Sequence, residues 1–192
     1  MTFITVASHD TASAVLGTPG QGEQWGYISS GTWSLLGMET KIANVSRAAF
    51  SENYTNEWGA HNTVRFLKNI MGMWLIQEVA RMQEYEYSYA ELAELAAKEK
   101  PLQQVMEIND PRFLNPKNMI EEIQQYCFET EQPVPVSPGA LARCVYDNLA
   151  LCYAQELIKV EHLTGTKLEK LHIVGGGSNN RLLNQLTADY AG

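Results

Sequence analysis

The segment "KLHIVGGGSNNRLLNQLTADYA", residues 170–191, passes from strand to loop to helix in one short run. Its first part, "KLHIV", is rich in apolar and β-branched residues, which favours a buried strand. The glycines and "SNN" that follow are typical of a loop. "RLLNQLTADYA" then predicts a helix. The segment therefore predicts a strand–loop–helix unit, the building block of an α/β fold.

The glycine loop at 175–177 has two interpretations. Glycines let the backbone approach a ligand closely, and the N-terminus of the next helix offers free N–H groups to a phosphate. The loop matches neither GxGxxG nor GxxxxGK[ST], the Rossmann and P-loop fingerprints. The alternative is a flexible turn between a strand and a helix, because glycine clusters commonly mark turns.

The composition limits the classes of partner. The chain has 192 residues, of which 45% are hydrophobic, and its formal net charge is −8. A folded chain is expected, and a nucleic-acid partner is not, because duplex binding depends on Lys and Arg. No apolar run reaches the ~20 residues of a membrane helix, and we see neither a secretion signal nor zinc-type cysteine spacing. We therefore expect a cytoplasmic protein without a membrane partner.

The N-terminal part of the chain is predicted to be mainly β-structure. Short apolar, β-branched runs bounded by turn residues indicate the strands. In chain order, the predicted elements are a strand at 2–8, a helix at 10–17, two strands within 23–40 that turn at Ser30–Gly31, and two strands within 53–69 that bend near Gly59.

Four helices are predicted between residues 69 and 165. Each begins at a residue type that favours an N-cap, and the last ends at a glycine. The charged segment 84–100 and the pair Glu121–Glu122 are interpreted as solvated helix faces. The predicted N-caps are Asn69, Ser88 (with Glu91 completing a capping box), Asn115 (with Pro116) and Ser137 (with Pro138), and the last helix ends at Gly165. The whole pattern predicts one α/β domain with helices packed on a mixed sheet.

Two further segments carry candidate chemistry. Asp10, in "SHDTASA", follows a predicted strand, and a carboxylate there can accept a proton from a hydroxyl nucleophile. The alternative is that Asp10 only caps the next helix. Gly31 and Thr32, in "SSGTWS", can form an anion-binding turn, or they can be an ordinary hairpin turn.

Four segments in order make a stronger pattern than any one of them: "ASHDTASAV", "SSGTWSLLG", "LKNIMGMWLIQ" and "HIVGGGSNNRLLNQLTAD". Together they resemble the FGGY carbohydrate kinases, and the sequences of the first two segments are most similar to the rhamnulose branch of that family. The resemblance implies the ribonuclease-H-like, actin-like ATPase fold. It also implies that ATP, with Mg²⁺, phosphorylates the C1 hydroxyl of L-rhamnulose.

The resemblance assigns a role to each matching position. Asp10 matches the family's proton acceptor, and His9, Thr11 and Asn69 match its sugar contacts. No protein ligand for a metal is predicted. The ATP-binding positions are expected at Gly31, Thr32, Gln77, Gly175, Gly176, Gly177 and Asn180.

The resemblance runs along residues 1–192 and implies part of the family's C-terminal domain. The N-terminal sugar-binding domain and the final C-terminal elements are then absent, so we expect the chain alone to be inactive and open to self-association. Two alternatives stay open: a non-catalytic nucleotide-binding or regulatory module of the same fold, and a sister kinase for another ketose or polyol.

Cys127 and Cys144 are expected on consecutive helices that fold back at "EQPVPVSPG". The two sulfur atoms can then lie close enough to pair. The alternative is two free buried thiols, the state favoured in a reducing compartment.

Overall fold

A computed structural model describes residues 10–192. The predicted strand at 2–8 and the predicted sugar contact His9 lie outside the described residues. The helices and strands are α1 (Asp10–Leu16), β1 (Trp25–Ser30), β2 (Trp33–Thr40), α2 (Arg47–Ser51), β3 (Thr55–Trp58), β4 (Val64–Met71), α3 (Trp74–Met82), α4 (Tyr89–Ala96), α5 (Met119–Glu129), α6 (Pro138–Thr164), β5 (Lys170–Val174) and α7 (Arg181–Ala191).

Within the described residues, the five strands form one mixed sheet in the order β3-β4-β2-β1-β5. The first four strands pair antiparallel, and β5 runs parallel to β1. The pairs β1–β2 and β3–β4 are hairpins, and α2 and β3 lie between β2 and β4. The parallel pair needs the long helical crossover between β1 and β5. The expected mixed sheet with packed helices is therefore confirmed.

The two faces of the sheet are covered unequally. One face packs against α3 to α7 and holds the main core, which contains Ile28, Leu36 and Phe66 from the strands. The opposite face carries a small cluster in which Val15 of α1 packs against Tyr27. Side chains alternate between the two faces along each strand. Successive residues of a strand therefore lie alternately on the face of the main core and on the face of the small cluster.

Helix α6 lies at the centre of the helical layer. The Ser137 hydroxyl accepts a hydrogen bond from the Ala140 N–H, and Pro138 begins the first turn, as predicted. The helix ends at Gly165, whose φ of 69° is in the left-handed region where glycine carries no steric cost. Buried residues occur around much of its circumference, because it packs against both α4 and α7.

Two predicted helix starts are wrong. Asn69 lies within β4, where residues 64–71 pair with all of β2, and α3 begins only at Trp74. The strand ladder outweighs the capping tendency of Asn69. Helix α5 begins after Asn118, whose side chain accepts hydrogen bonds from two N–H groups, and not after Asn115. The short helix α2 was not predicted.

The cysteine geometry confirms the predicted proximity of Cys127 and Cys144. Both are buried and free, and the two thiols are close enough to influence each other's pKa. The neighbouring Cys127 thiol and burial raise the pKa of Cys144. The Cys144 thiol also lies 3.7 Å from the Met106 sulfur. Both sulfurs are therefore part of the interface between α5 and α6.

Within residues 10–192, no helix is both long and apolar enough to cross a bilayer.

Candidate functional site

A cleft of about 960 Å³ opens where the β1–β2 turn meets the loop after β5. Helices α3 and α4 supply one side, and the N-terminus of α7 supplies the other. The lining residues are Gly31, Thr32, Met73, Gln77, Tyr89, Ala90, Ala93, Glu94, Ala97, Gly176, Gly177, Asn179, Asn180, Arg181 and Leu182. The cleft therefore brings together six of the seven predicted ATP-binding residues, from three separate parts of the chain.

The β1–β2 turn is held in place by α3. The Gly31 carbonyl accepts from the Met73 N–H at 3.0 Å, and the Thr32 carbonyl accepts from the Trp74 N–H at 3.0 Å. The Thr32 hydroxyl donates to Gln77 Oε1 at 3.2 Å. These bonds fix the tip of the hairpin relative to the helix, so the turn is a rigid part of the cleft.

Each glycine of the loop after β5 meets a different constraint. Gly175 has a φ of 85°, and a Cβ there would lie 2.7 Å from the Ser30 carbonyl oxygen. A Cβ on Gly177 would overlap the Ser30 hydroxyl. A Cβ on Gly176, by contrast, would meet nothing within 4 Å. Gly175 and Gly177 are thus required for packing on β1, whereas Gly176 borders open space in the cleft. Gly175, the seventh predicted residue, does not line the cleft.

Asparagine side chains shape the start of α7. Asn180 is the N-cap, and its Oδ1 accepts from the Leu183 N–H at 3.0 Å. The Asn179 amide donates to the Gly176 carbonyl at 3.3 Å. Beneath the cap, burial raises the pKa of Tyr146 to about 12, and the adjacent Asn180 side chain opposes that shift. These contacts set the path of the loop before the helix begins.

Several backbone donors of the cleft are unused. Among them, the N–H groups of Thr32 and Gly176 have no backbone acceptor within residues 10–192. One belongs to the hairpin turn, and the other opens the loop before α7. Free backbone N–H groups at a turn and near a helix N-terminus are suited to binding anions. The cleft can therefore accept a phosphate without a cluster of basic side chains.

The wall formed by α4 was not predicted from the sequence, because the charges of segment 84–100 indicated a solvated helix face. Its Ser88–Glu91 capping box is present as predicted. Ala90, Ala93 and Ala97 recur at helical spacing and face the cleft together with Tyr89. This alanine spacing was the available signal, and small side chains leave room for a flat ring against the helix.

The predicted sugar-side residues lie elsewhere. Asp10 is the exposed first residue of α1, and Thr11 follows it half-buried. Asn69 is exposed on β4, opposite Leu35 and two residues after Leu67. Leu35 and Leu67 pack with Val15 of α1, so Asn69 lies on the α1 side of the sheet. None of the three lines the cleft, which is on the side of α3, α4 and α7.

Among the residues described, no group of three or more His, Cys, Asp or Glu side chains is arranged to hold a metal ion.

Comparisons with known proteins identify relatives along almost the whole chain. Residues 26–192 match the FGGY family of carbohydrate kinases, C-terminal domain. A rhamnulokinase from Enterococcus faecalis is 72% identical over 192 residues, covering 99% of this chain and 39% of that protein. A rhamnulokinase from Bacillus subtilis is 54% identical over 98% of this chain and 39% of its own length. The chain therefore spans about two fifths of the length of the curated relatives it matches.

Solved structures share the fold. The xylulose kinase from Rhodospirillum rubrum superposes with a TM-score of 0.70 at 13% identity, covering 95% of this chain and 36% of that one. A Plasmodium falciparum glycerol kinase with ADP superposes with a TM-score of 0.54 at 10% identity, covering 85% of this chain and 33% of that chain. These likenesses confirm the expected fold.

Proposed function

This chain belongs to the FGGY family of carbohydrate kinases, and from that membership we propose that it supplies the nucleotide site of an enzyme that phosphorylates the C1 hydroxyl of L-rhamnulose. The observation that carries the proposal is the cleft, where Thr32, Gln77, Gly176 and Asn180 meet. The choice of sugar is supported by the 72% identity to a rhamnulokinase.

ATP is placed along the cleft with its phosphates toward the β1–β2 turn. The free N–H groups of Thr32 and Gly176 are donors for phosphate oxygens. The adenine then lies between Ala93 of α4 and the N-terminal turn of α7, where small side chains allow close contact with a flat ring. Gln77 acts through Thr32, whose hydroxyl it holds.

The sugar is placed on the α1 side of the turn. Asp10 is the general base that accepts the C1 hydroxyl proton, and Thr11 and Asn69 position the ketose, with His9 as a further contact. Asp10 is exposed, and its carboxylate makes no hydrogen bond within the described chain, so it is free to accept a proton. Phosphoryl transfer needs positioning and a modest base rather than a covalent intermediate, which suits this arrangement.

Mg²⁺ is proposed to enter with the phosphates of ATP. Protein Mg²⁺ sites use one or two carboxylates together with substrate phosphates. The described residues offer no cluster of metal ligands, and we assign no step to a metal held by the protein.

We further propose that residues 1–192 act as part of a C-terminal domain. The relatives are longer than this chain, which covers 39% of the Enterococcus faecalis protein. Closure of a cleft between domains excludes water and positions the sugar. The chain by itself is therefore expected to hold nucleotide but not to turn over ATP with rhamnulose. Rhamnulose-dependent release of ADP by the chain would contradict this.

Calorimetry with Mg·ADP tests the nucleotide site. Gly176→Asp projects a carboxylate into open space in the cleft, so it should abolish binding by charge repulsion while the circular dichroism spectrum is unchanged. Asn53→Asp adds the same charge at an exposed position outside the cleft and should leave binding intact. Equal affinity of both variants and the wild type would place the nucleotide elsewhere, and a folded wild type without affinity would contradict the proposal.

A further inference from the structure

Most polar side chains of the cleft are already engaged with the protein. Thr32 and Gln77 bond to each other, and Asn180 caps α7. Glu94 differs, because its carboxylate has no hydrogen bond or ion pair with any residue from 10 to 192. It is also the one carboxylate among the described residues that line the cleft. A free acceptor in a ligand cleft is available to a ligand donor.

The surroundings of Glu94 keep its carboxylate accessible. It lies on the cleft-facing wall of α4, between Ala93 and Ala97 in the lining, and small neighbours do not cover it. Lys98 lies one helical turn further on, the spacing at which an ion pair often forms. No such pair forms here, although both residues are described. The charge of Glu94 is therefore not neutralised by its own helix.

Charge decides which part of a nucleotide can lie against Glu94. A carboxylate repels phosphates, so the phosphates must lie away from it, consistent with the free N–H groups at Thr32 and Gly176. The ribose offers two neighbouring hydroxyl donors, which match the two oxygens of one carboxylate. Acidic residues bind ribose hydroxyls in this way in dinucleotide-binding folds.

We propose that Glu94 accepts hydrogen bonds from the 2′- and 3′-hydroxyls of the bound ribose and makes the site selective for ribonucleotides over 2′-deoxyribonucleotides. The inference rests on the proposed nucleotide function of the cleft. Glu94 determines specificity and has no part in the transfer step itself.

The test is calorimetry of ADP, 2′-deoxy-ADP and IDP, each with Mg²⁺, on the wild-type chain and on Glu94→Ala. A hydrogen bond to a charged group is worth about tenfold or more in affinity. The wild type should therefore prefer ADP to 2′-deoxy-ADP by about tenfold, and Glu94→Ala should bring that ratio close to one. The matched control is Glu121→Ala, which removes an exposed carboxylate on α5 outside the cleft and should keep the wild-type ratio.

Two results would overturn the role of Glu94 while leaving the nucleotide site intact. One is an unchanged ADP to 2′-deoxy-ADP ratio in Glu94→Ala. The other is a change confined to the ADP to IDP ratio, which would place the carboxylate against the 6-amino group of the base. A folded wild type that binds no ADP is a different failure, since it contradicts the proposed function and the inference together. Glu94 is exposed, so its substitution should not unfold the chain.

Discussion

Thr32 Oγ1 lies 3.2 Å from Gln77 Oε1, and this hydrogen bond joins the β1–β2 turn to the first turns of α3. Two backbone bonds, from Met73 to Gly31 and from Trp74 to Thr32, run beside it. The turn is thus fixed by three contacts to one helix. A site that binds phosphate benefits from such rigidity, because less freedom is lost when the ligand binds.

Thr32→Val is predicted to weaken Mg·ADP binding by about fivefold, because it removes a neutral hydroxyl and its hydrogen bond while keeping the β-branched shape. The bond is exposed, so the free energy of unfolding should fall by less than about 1 kcal/mol. Calorimetry and urea denaturation measure the two quantities. Thr55→Val is the control, since that residue is exposed on β3 and lies outside the cleft. If Thr32→Val binds Mg·ADP as tightly as the wild type, the Thr32 hydroxyl does not contribute to nucleotide binding.

Gly177→Ala is predicted to destabilise the fold, whereas Gly176→Ala is not. A methyl group on Gly177 would overlap the Ser30 side chain, and one on Gly176 would meet nothing within 4 Å. Overpacking of this kind costs about 1–3 kcal/mol. Urea denaturation of the two variants checks the difference. The double variant Ser30→Gly/Gly177→Ala should recover part of the loss, and additivity of the two changes would contradict the proposed contact.

Arg143→Met is predicted to destabilise the chain by about 3 kcal/mol, because it leaves the Asp147 carboxylate buried without its cation. Asp147 is 1% exposed and accepts from Arg143 Nε at 2.9 Å and from the Leu102 N–H at 2.7 Å. Tyr190 of α7 adds a third bond at 3.2 Å, so this pair also ties α7 to α6.

Tyr190→Phe removes only that third bond and should cost about 1 kcal/mol. Chemical denaturation of both variants gives the comparison. An Arg143→Met protein as stable as the wild type would contradict the stabilising role of this ion pair.

Much of the fold could be predicted because its signals are local. The Ser137–Pro138 start and the Gly165 end of α6 depend on capping chemistry that a few residues specify. The strand–loop–helix unit at the end of the chain was likewise predicted with its observed bounds. Asn69 shows the limit, because its capping tendency is a local property and the β4–β2 ladder that overrides it is not.

The candidate site was predictable only in part, for a similar reason. Gly31, Thr32, Gln77 and Gly176 could be found from short motifs and a family resemblance, and the structure brings them into one cleft. The α4 wall carries no such motif. Its alanines become lining residues only because α4 packs on α6 beside α7, a long-range arrangement that no local pattern specifies.

The cysteines are predicted to give three free thiols when the protein is denatured without reductant and titrated with a thiol reagent. Cys127, Cys144 and Cys152 are all buried and unbridged. Burial also raises the pKa of Cys152 to about 12, so native protein should react slowly at pH 8, where thiolate is the reactive form. One free thiol in the denatured protein would show that Cys127 and Cys144 had formed a disulfide.

The stability of the chain is predicted to fall between about pH 10 and pH 12, in part through Tyr153. Burial raises the pKa of Tyr153 from 10.0 to about 12, and its hydroxyl shares a hydrogen bond of 2.6 Å with the Ser34 hydroxyl. Below pH 10 the tyrosine is protonated in both states, so its contribution to stability is fully present. Above pH 10 the unfolded chain loses the proton first, and stability falls as the pH rises through the folded pKa.

Tyr153→Phe separates this tyrosine from the other buried groups that titrate at high pH. At pH 8 the variant should be less stable than the wild type by about 1 kcal/mol, since it lacks the bond to Ser34. At pH 11 the wild type should have lost about 1 kcal/mol that the variant does not lose, so the two free energies of unfolding should converge. Urea denaturation at pH 8 and at pH 11 measures the difference in the free energy of unfolding between the two proteins. A gap that stays constant with pH would mean that Tyr153 titrates alike in the folded and unfolded chain, and that its burial does not hold the proton.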